Sequence, residues 1–138
     1  MSNENLPQGA NGAAAAGSGA AGNDGVKFDG KAAIASAFAD GKAFIPFVTC
    51  GDPDLATTEE LVCAMADAGA SLIELGIPFS DPTAEGPVIQ EANLRALSGG
   101  VSTDDVFDLI GRLRNRTQVP LAIMTYANVV YSYGIERF

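Results

Sequence analysis

From Phe28 onward, apolar positions follow two alternating rhythms, one helical and one continuous. Phe28, Ala32, Ile34, Ala35 and Phe38 trace a rough helical face that ends near Gly41. The run from Ala43 to Cys50 is short, apolar and stopped by Gly51-Asp52-Pro53, the signature of a buried strand. Thr57 to Glu60 has a capping-box pattern, and Leu61, Ala64, Met65 and Ala68 recur behind it at helical spacing, with Gly69 as the stop. Ser71 to Ile77 predicts a second strand, and Pro78 to Gly86 a loop rich in turn residues. A helix is expected from Pro87 to Gly99-Gly100, opened by a first-turn proline. Ser102 and Thr103 can cap another, with Val106, Leu109, Ile110 and Leu113 on one face. Val119 to Tyr126 predicts a third strand, and a further helix is expected to begin near Gly134.

Strands alternating with helices imply βαβ units and a parallel sheet. The near-continuous apolar character of the strands implies cover on both faces. No GxGxxG or P-loop follows any strand, which argues against a dinucleotide site. The pattern leaves a barrel and an open α/β sheet equally open.

Residues 1–27 break this rhythm. They are mostly Ala, Gly, Asn and Ser with hardly a large apolar group, so a disordered low-complexity tail is expected, with residues 28–138 as the folded part. The tail has neither a basic start nor a compact apolar segment, so it does not read as a signal peptide. No apolar run approaches the roughly 18 residues that span a bilayer, and a cytoplasmic location is expected.

Composition narrows the chemistry further. The net charge is −9, which disfavours a nucleic-acid partner because phosphate binding needs a basic face. The two cysteines, Cys50 and Cys63, lie in apolar segments without zinc spacing and read as small buried hydrophobes. There is no histidine, so a Ser-His-Asp triad and a His-ligated metal are excluded. No metal site is expected. Acid–base chemistry falls to carboxylates, Tyr, Lys or Cys.

Among these, Glu74 is anomalous. It interrupts Leu72-Ile73-Glu74-Leu75-Gly76-Ile77 as the only charged residue. Side chains alternate along a strand, so Leu72, Glu74 and Gly76 share one face while Ile73, Leu75 and Ile77 share the other. The second face suits packing on helices, which directs Glu74 to the opposite side, near the strand end where α/β folds bind ligands. The two readings are a functional acid and a structural glutamate paired with a basic residue or a backbone amide. The loop that follows carries Pro78, Pro82 and Pro87 with Asp81 and Glu85, and reads equally as a functional loop or as a polar crossover. Met124, Tyr126 and Asn128 would share a face at the end of the third strand, as a pocket wall or as plain core. Phe47 and Thr49 stand in the same relation to the first.

Four segments, read in order, carry a resemblance: Pro46-Phe-Val-Thr-Cys-Gly-Asp-Pro53, Leu72-Ile-Glu-Leu-Gly-Ile-Pro-Phe-Ser-Asp-Pro82, Gly86-Pro-Val-Ile-Gln90 and Met124-Thr-Tyr-Ala-Asn128. Together they resemble the tryptophan synthase alpha subunit, from about residue 29 to residue 138. The resemblance implies a (β/α)8 TIM barrel that splits indole-3-glycerol phosphate into indole and glyceraldehyde 3-phosphate in tryptophan biosynthesis. It places the catalytic glutamate, the proton donor to indole C3, at Glu74. Glu85 falls where the family usually has an aspartate that takes the indole N–H proton, and Thr83 replaces the commoner leucine. The extra methylene changes the reach of the carboxylate by about an ångström. Phe47, Thr49, Ile89, Met124 and Tyr126 match positions lining the indole pocket. Pro78, Asp81, Asn93 and Asn128 match positions near the contact with a beta subunit, expected in an α2β2 tetramer. Pyridoxal phosphate is expected in that beta subunit and no cofactor in this chain.

A (β/α)8 barrel takes about 250 residues. With 138 residues and three strands, the chain is expected to be a truncated, N-terminal part of one, without the later loops that hold the substrate phosphate. The alternatives are another phosphosugar-type barrel enzyme, against which the Phe79-Ser80-Asp81-Pro82 loop argues, and an inactive remnant that at most binds a partner subunit.

Overall fold

A computed structural model of the chain describes residues 28–138; the tail expected at residues 1–27 lies outside the described residues. The elements run α1 (Gly30–Ala37), β1 (Phe47–Thr49), α2 (Leu55–Asp67), β2 (Ile73–Gly76), α3 (Pro87–Ser98), α4 (Thr103–Arg114), β3 (Leu121–Met124) and α5 (Ala127–Tyr133). The strands form a parallel sheet in the order β1-β2-β3, with Phe47 opposite Glu74 and Gly76 opposite Met124. Sequential order excludes the 2-1-3 arrangement of one common open sheet and fits successive β/α units.

The alternation read in β2 is what places the core. Ile73 and Leu75 are fully buried and Ile77 nearly so, packed with Val62 of α2 and with Val106, Leu109 and Leu113 of α4. Cys50 joins this cluster, and burial pushes its thiol up to about 12, so it behaves as a small hydrophobe at neutral pH. Cys63 is half-buried against the same cluster, its thiol also raised by burial. On the outer surface Arg112 and Arg116 of α4 and the loop after it reach Glu59, at 2.8 and 3.0 Å, and Arg116 also reaches Glu60 at 2.7 Å. These exposed pairs orient α4 on α2 and contribute little to stability.

Helix starts follow capping chemistry. Of the two caps the sequence offers for α4, Ser102 is the one used, and it forms a capping box with Asp105 that was not expected from the sequence; Thr103 is the first helical residue. Helix α2 departs from its expectation. It starts earlier, at Leu55, because Asp54 is the cap, its carboxylate accepting from the Thr57 N–H at 2.7 Å. That bond holds the Asp54 carboxyl below its ordinary range. Thr58 is therefore inside the helix and buried. Its hydroxyl donates to the Asp54 carbonyl and accepts from the Gly51 N–H, both at 2.9 Å. This turns Thr58 and Val62 inward, so of the expected stripe Leu61, Ala64 and Ala68 face out and only Met65 packs against the core.

Two strand expectations also shift. Of the apolar run Ala43 to Cys50, only Phe47–Thr49 is strand, and Phe44 is 67% exposed. Pro46 lacks an N–H, and β1 has only β2 as a partner in this sheet. At the other edge β3 ends at Met124 and α5 begins at Ala127, so Asn128 lies in a helix and not on the strand face shared with Met124. Gly134, with φ of +100°, ends that helix instead of preceding one. No helix among the described residues is long and apolar enough to cross a membrane.

Candidate active site

The face of β2 opposite the core forms the floor of a cavity of about 440 Å³ at the C-terminal ends of the strands. Phe47, Glu74 and Gly76 supply the floor, Met124 and Tyr126 one wall, and Ile89 and Asn93 of α3 the other. Ala84 and Glu85 close it from the loop after β2. The lining is mostly apolar, with the two carboxylates as its charged groups, a composition suited to a flat aromatic ligand with one or two exchangeable protons.

Floor and packing depend on one glycine. A Cβ on Gly76 would come within 2.5 Å of the Phe47 ring, because that ring lies across Gly76 on the neighbouring strand. Gly76 stands two residues from Glu74 on the same face, and alternation alone marks it as a neighbour of the site. Its service as a seat for the Phe47 ring had no signal in the sequence.

Glu74 is half-buried and makes no ion pair or side-chain hydrogen bond among the described residues. The arginines are engaged elsewhere: Arg95 holds Asp52 through two bonds of 2.8 and 2.9 Å, and Arg137 holds Asp104 at 2.6 Å. A structural glutamate neutralised by a basic neighbour therefore has no counterpart here. Glu85 is also half-buried, and its carboxylate accepts a hydrogen bond from the Tyr126 hydroxyl. The same hydroxyl accepts the N–H groups of Thr83 at 3.0 Å and Ala84 at 3.2 Å, and the Tyr126 ring packs on Phe79 with centroids 5.1 Å apart. The Gln90 amide donates to the Glu85 carbonyl at 2.9 Å, tying the loop to the first turn of α3.

Other expected site residues are distributed differently. Thr49 is buried at the end of β1, with its hydroxyl unpartnered among the described residues, and is not part of the cavity lining. Asn93, expected near a partner surface, is 6% exposed and lines the cavity. Pro78 and Asn128 line a second groove of about 460 Å³ on the other side of the loop, together with Phe79, Val129 and Tyr133. Asp81 is exposed and accepts from the Ser80 hydroxyl. The structure thus pairs Pro78 with Asn128 and sets Asn93 apart from them. Thr125, which the sequence did not single out, also lines the main cavity, with its hydroxyl unpartnered.

Against known proteins, the family model described as tryptophan synthase alpha chain matches residues 35–138. The tryptophan synthase alpha chain of Alkaliphilus metalliredigens is 56% identical over 99 residues, covering 72% of this chain and 37% of that protein. The alpha chain of Lacticaseibacillus casei is 50% identical over 105 residues, covering 76% of this chain and 40% of that one. Among solved structures, tryptophan synthase subunit alpha from Legionella pneumophila superposes with a TM-score of 0.71 at 38% identity, covering 76% of this chain and 41% of that chain. A tryptophan synthase complex from Pyrococcus furiosus gives a TM-score of 0.66 at 42% identity, covering 70% and 39% respectively. The chain spans about two fifths of the length of the relatives it matches. The three parallel strands and their helices are thus part of a (β/α)8 barrel, which closes the choice between barrel and open sheet. The chain belongs to the tryptophan synthase alpha chain family.

Proposed function

We propose that this chain carries the acid–base half of an indole-3-glycerol phosphate cleavage site, with Glu74 as proton donor and Glu85 as acceptor for the indole N–H. The observation that carries the reading is the Glu74 carboxyl, without a partner among the described residues, on the floor of an apolar cavity whose mouth holds a second carboxylate. The aromatic and aliphatic lining of Phe47, Ile89 and Met124 suits an indole ring.

The chemistry follows from the bond to be broken. A proton passes from the Glu74 carboxyl to indole C3, and the positive charge that develops on the ring makes its N–H acidic. Glu85 accepts that proton. The Glu74 carboxylate then takes the proton of the hydroxyl on the carbon attached to C3. As that carbon becomes a carbonyl, the carbon–carbon bond breaks, its electron pair returns to the ring, and Glu85 gives back the N–H proton. One proton is donated and one recovered at each carboxyl, so both end as they began. The products are indole and glyceraldehyde 3-phosphate.

The same reading assigns the groove beside Pro78 and Asn128, with the exposed Asp81, to the contact with a beta subunit, and pyridoxal phosphate to that subunit. It places the protein in the cytoplasm. The test is release of indole from indole-3-glycerol phosphate by a full-length alpha chain carrying these residues. Indole production coupled to a purified beta subunit is the expected result. A folded protein that releases no indole but still binds the beta subunit would leave the remnant reading standing instead.

A further inference from the structure

We propose that the Tyr126 hydroxyl is a positioning group and not a ligand contact: it fixes the loop after β2 and aims the Glu85 carboxylate into the cavity, while the ring remains part of the wall. The inference deepens the acid–base reading above and rests on it.

A tyrosine hydroxyl has one proton to donate and two lone pairs to accept with. In this structure both lone pairs face backbone donors, the N–H groups of Thr83 at 3.0 Å and Ala84 at 3.2 Å. The single proton goes to Oε2 of Glu85. The hydroxyl is saturated, so a ligand in the cavity meets the tyrosine ring and not its polar end. The direction of the third bond is fixed as well. With both lone pairs occupied, the hydroxyl can only donate to Glu85, so Oε2 is an acceptor, and Oε1 carries no hydrogen bond among the described residues and is open to a ligand.

Tyr126 is well placed for this. Its backbone is the cap of α5, its carbonyl accepting from the Val129 N–H at 3.0 Å, and its ring is braced by Phe79. The turn between β3 and α5 on one side of the cavity therefore sets the position of an exposed loop on the other, across more than 40 residues of sequence. A longer acid than the family's usual aspartate has more rotamers to choose from, and the tyrosine proton selects among them.

Tyr126→Phe removes the hydroxyl and keeps the ring, and two measurements read the result. In the 138-residue chain with glutamate labelled with carbon-13 at the carboxyl carbon, the Glu85 resonance, assigned by its loss in Glu85→Gln, should shift while that of Glu74 stays. The Thr83 and Ala84 amides should exchange with solvent about tenfold faster. In a full-length alpha chain carrying these residues, Tyr126→Phe should lower kcat about tenfold or more and leave KM within about threefold. It should cost nothing further in a Glu85→Gln background. Unchanged Glu85 resonance and amide exchange would overturn the anchoring itself. A raised KM with intact kcat, or losses that add to those of Glu85→Gln, would overturn the positioning role and leave Tyr126 as a pocket wall alone. If the parent releases no indole, the cleavage reading fails, and the resonance and exchange measurements still decide whether Tyr126 holds the loop.

Discussion

Glu74→Gln is expected to lower turnover of indole-3-glycerol phosphate by at least about 100-fold in a full-length alpha chain carrying these residues, while substrate affinity stays within a few-fold. Glutamine keeps the size and polarity of the side chain and cannot transfer a proton. Glu74 stands on β2 between two neighbouring strands, opposite Phe47 on one and Ala122 on the other, so its position is set by backbone pairing that the substitution does not touch. The core lies on the opposite face of the strand, in Ile73, Leu75 and Ile77, and should be unaffected. Stability and circular dichroism should therefore match the parent. Single-turnover kinetics separates binding from chemistry. Turnover within a few-fold of the parent would mean that the proton reaching indole C3 comes from another group.

The second large effect is expected at Glu85. Glu85→Ala removes the acceptor for the indole N–H and should lower turnover by about 100-fold. Glu85→Asp should retain much of the activity. The loop that carries the residue is held at Thr83 and Ala84 by backbone bonds that do not depend on the length of the acid, and again by Gln90 on the Glu85 carbonyl. A shorter carboxylate therefore departs from the same anchor. An alanine variant that turns over like the parent would show that the acceptor role does not reside at this position, whatever the loop geometry.

The two predictions differ in how far the sequence alone supports them. Glu74 was legible because strand alternation is a local rule: one charged residue among aliphatics, with the aliphatics on the other face, can point only away from the core. The head of α4 was legible to within one residue, because Ser102 and Thr103 both suit a cap, and it is the Asp105 side chain three residues on that fixes Ser102 in that place. Features that depend on distant parts of the chain were not. The face of α2 turned because Asp54, not Thr57, caps it, and because the Thr58 hydroxyl is committed to Gly51 in the preceding turn. The Thr57 to Glu60 pattern satisfies the same local rule, and only the turn decides between them. The true extent of β1 depends on a neighbouring strand and on the missing N–H of Pro46. The start of α5 at Ala127, immediately after a strand, carries no side-chain cap hydrogen bond, so nothing in the sequence announced it.

The site shows the same division. Residues that floor the cavity come from strand ends and follow from the alternation, as with Phe47, Glu74 and Met124. Loop and strand patterns offered Glu85 and Tyr126 as candidates and the resemblance added Ile89, yet neither pattern nor resemblance gave the bond between Glu85 and Tyr126, which joins two segments far apart in the chain. Asn93 illustrates the reverse: matched to a partner surface, it is carried by α3 toward the cavity because α3 packs along β1 with Ala92 and Ala96 turned inward beside it.

In the proposed reaction an indole ring would sit between Phe47, Ile89 and Met124 with its reactive atoms facing Glu74 and Glu85. The most direct measurement is the set of isotope-filtered nuclear Overhauser contacts between indole and the methyl groups of the 138-residue chain. The account predicts contacts to the Met124 and Ile89 methyls and to the Phe47 ring, lost on Gly76→Leu, whose side chain would fill the space over which the Phe47 ring lies. Contacts confined to the groove of Pro78 and Val129, or none at these cavity methyls at saturating indole, would contradict it.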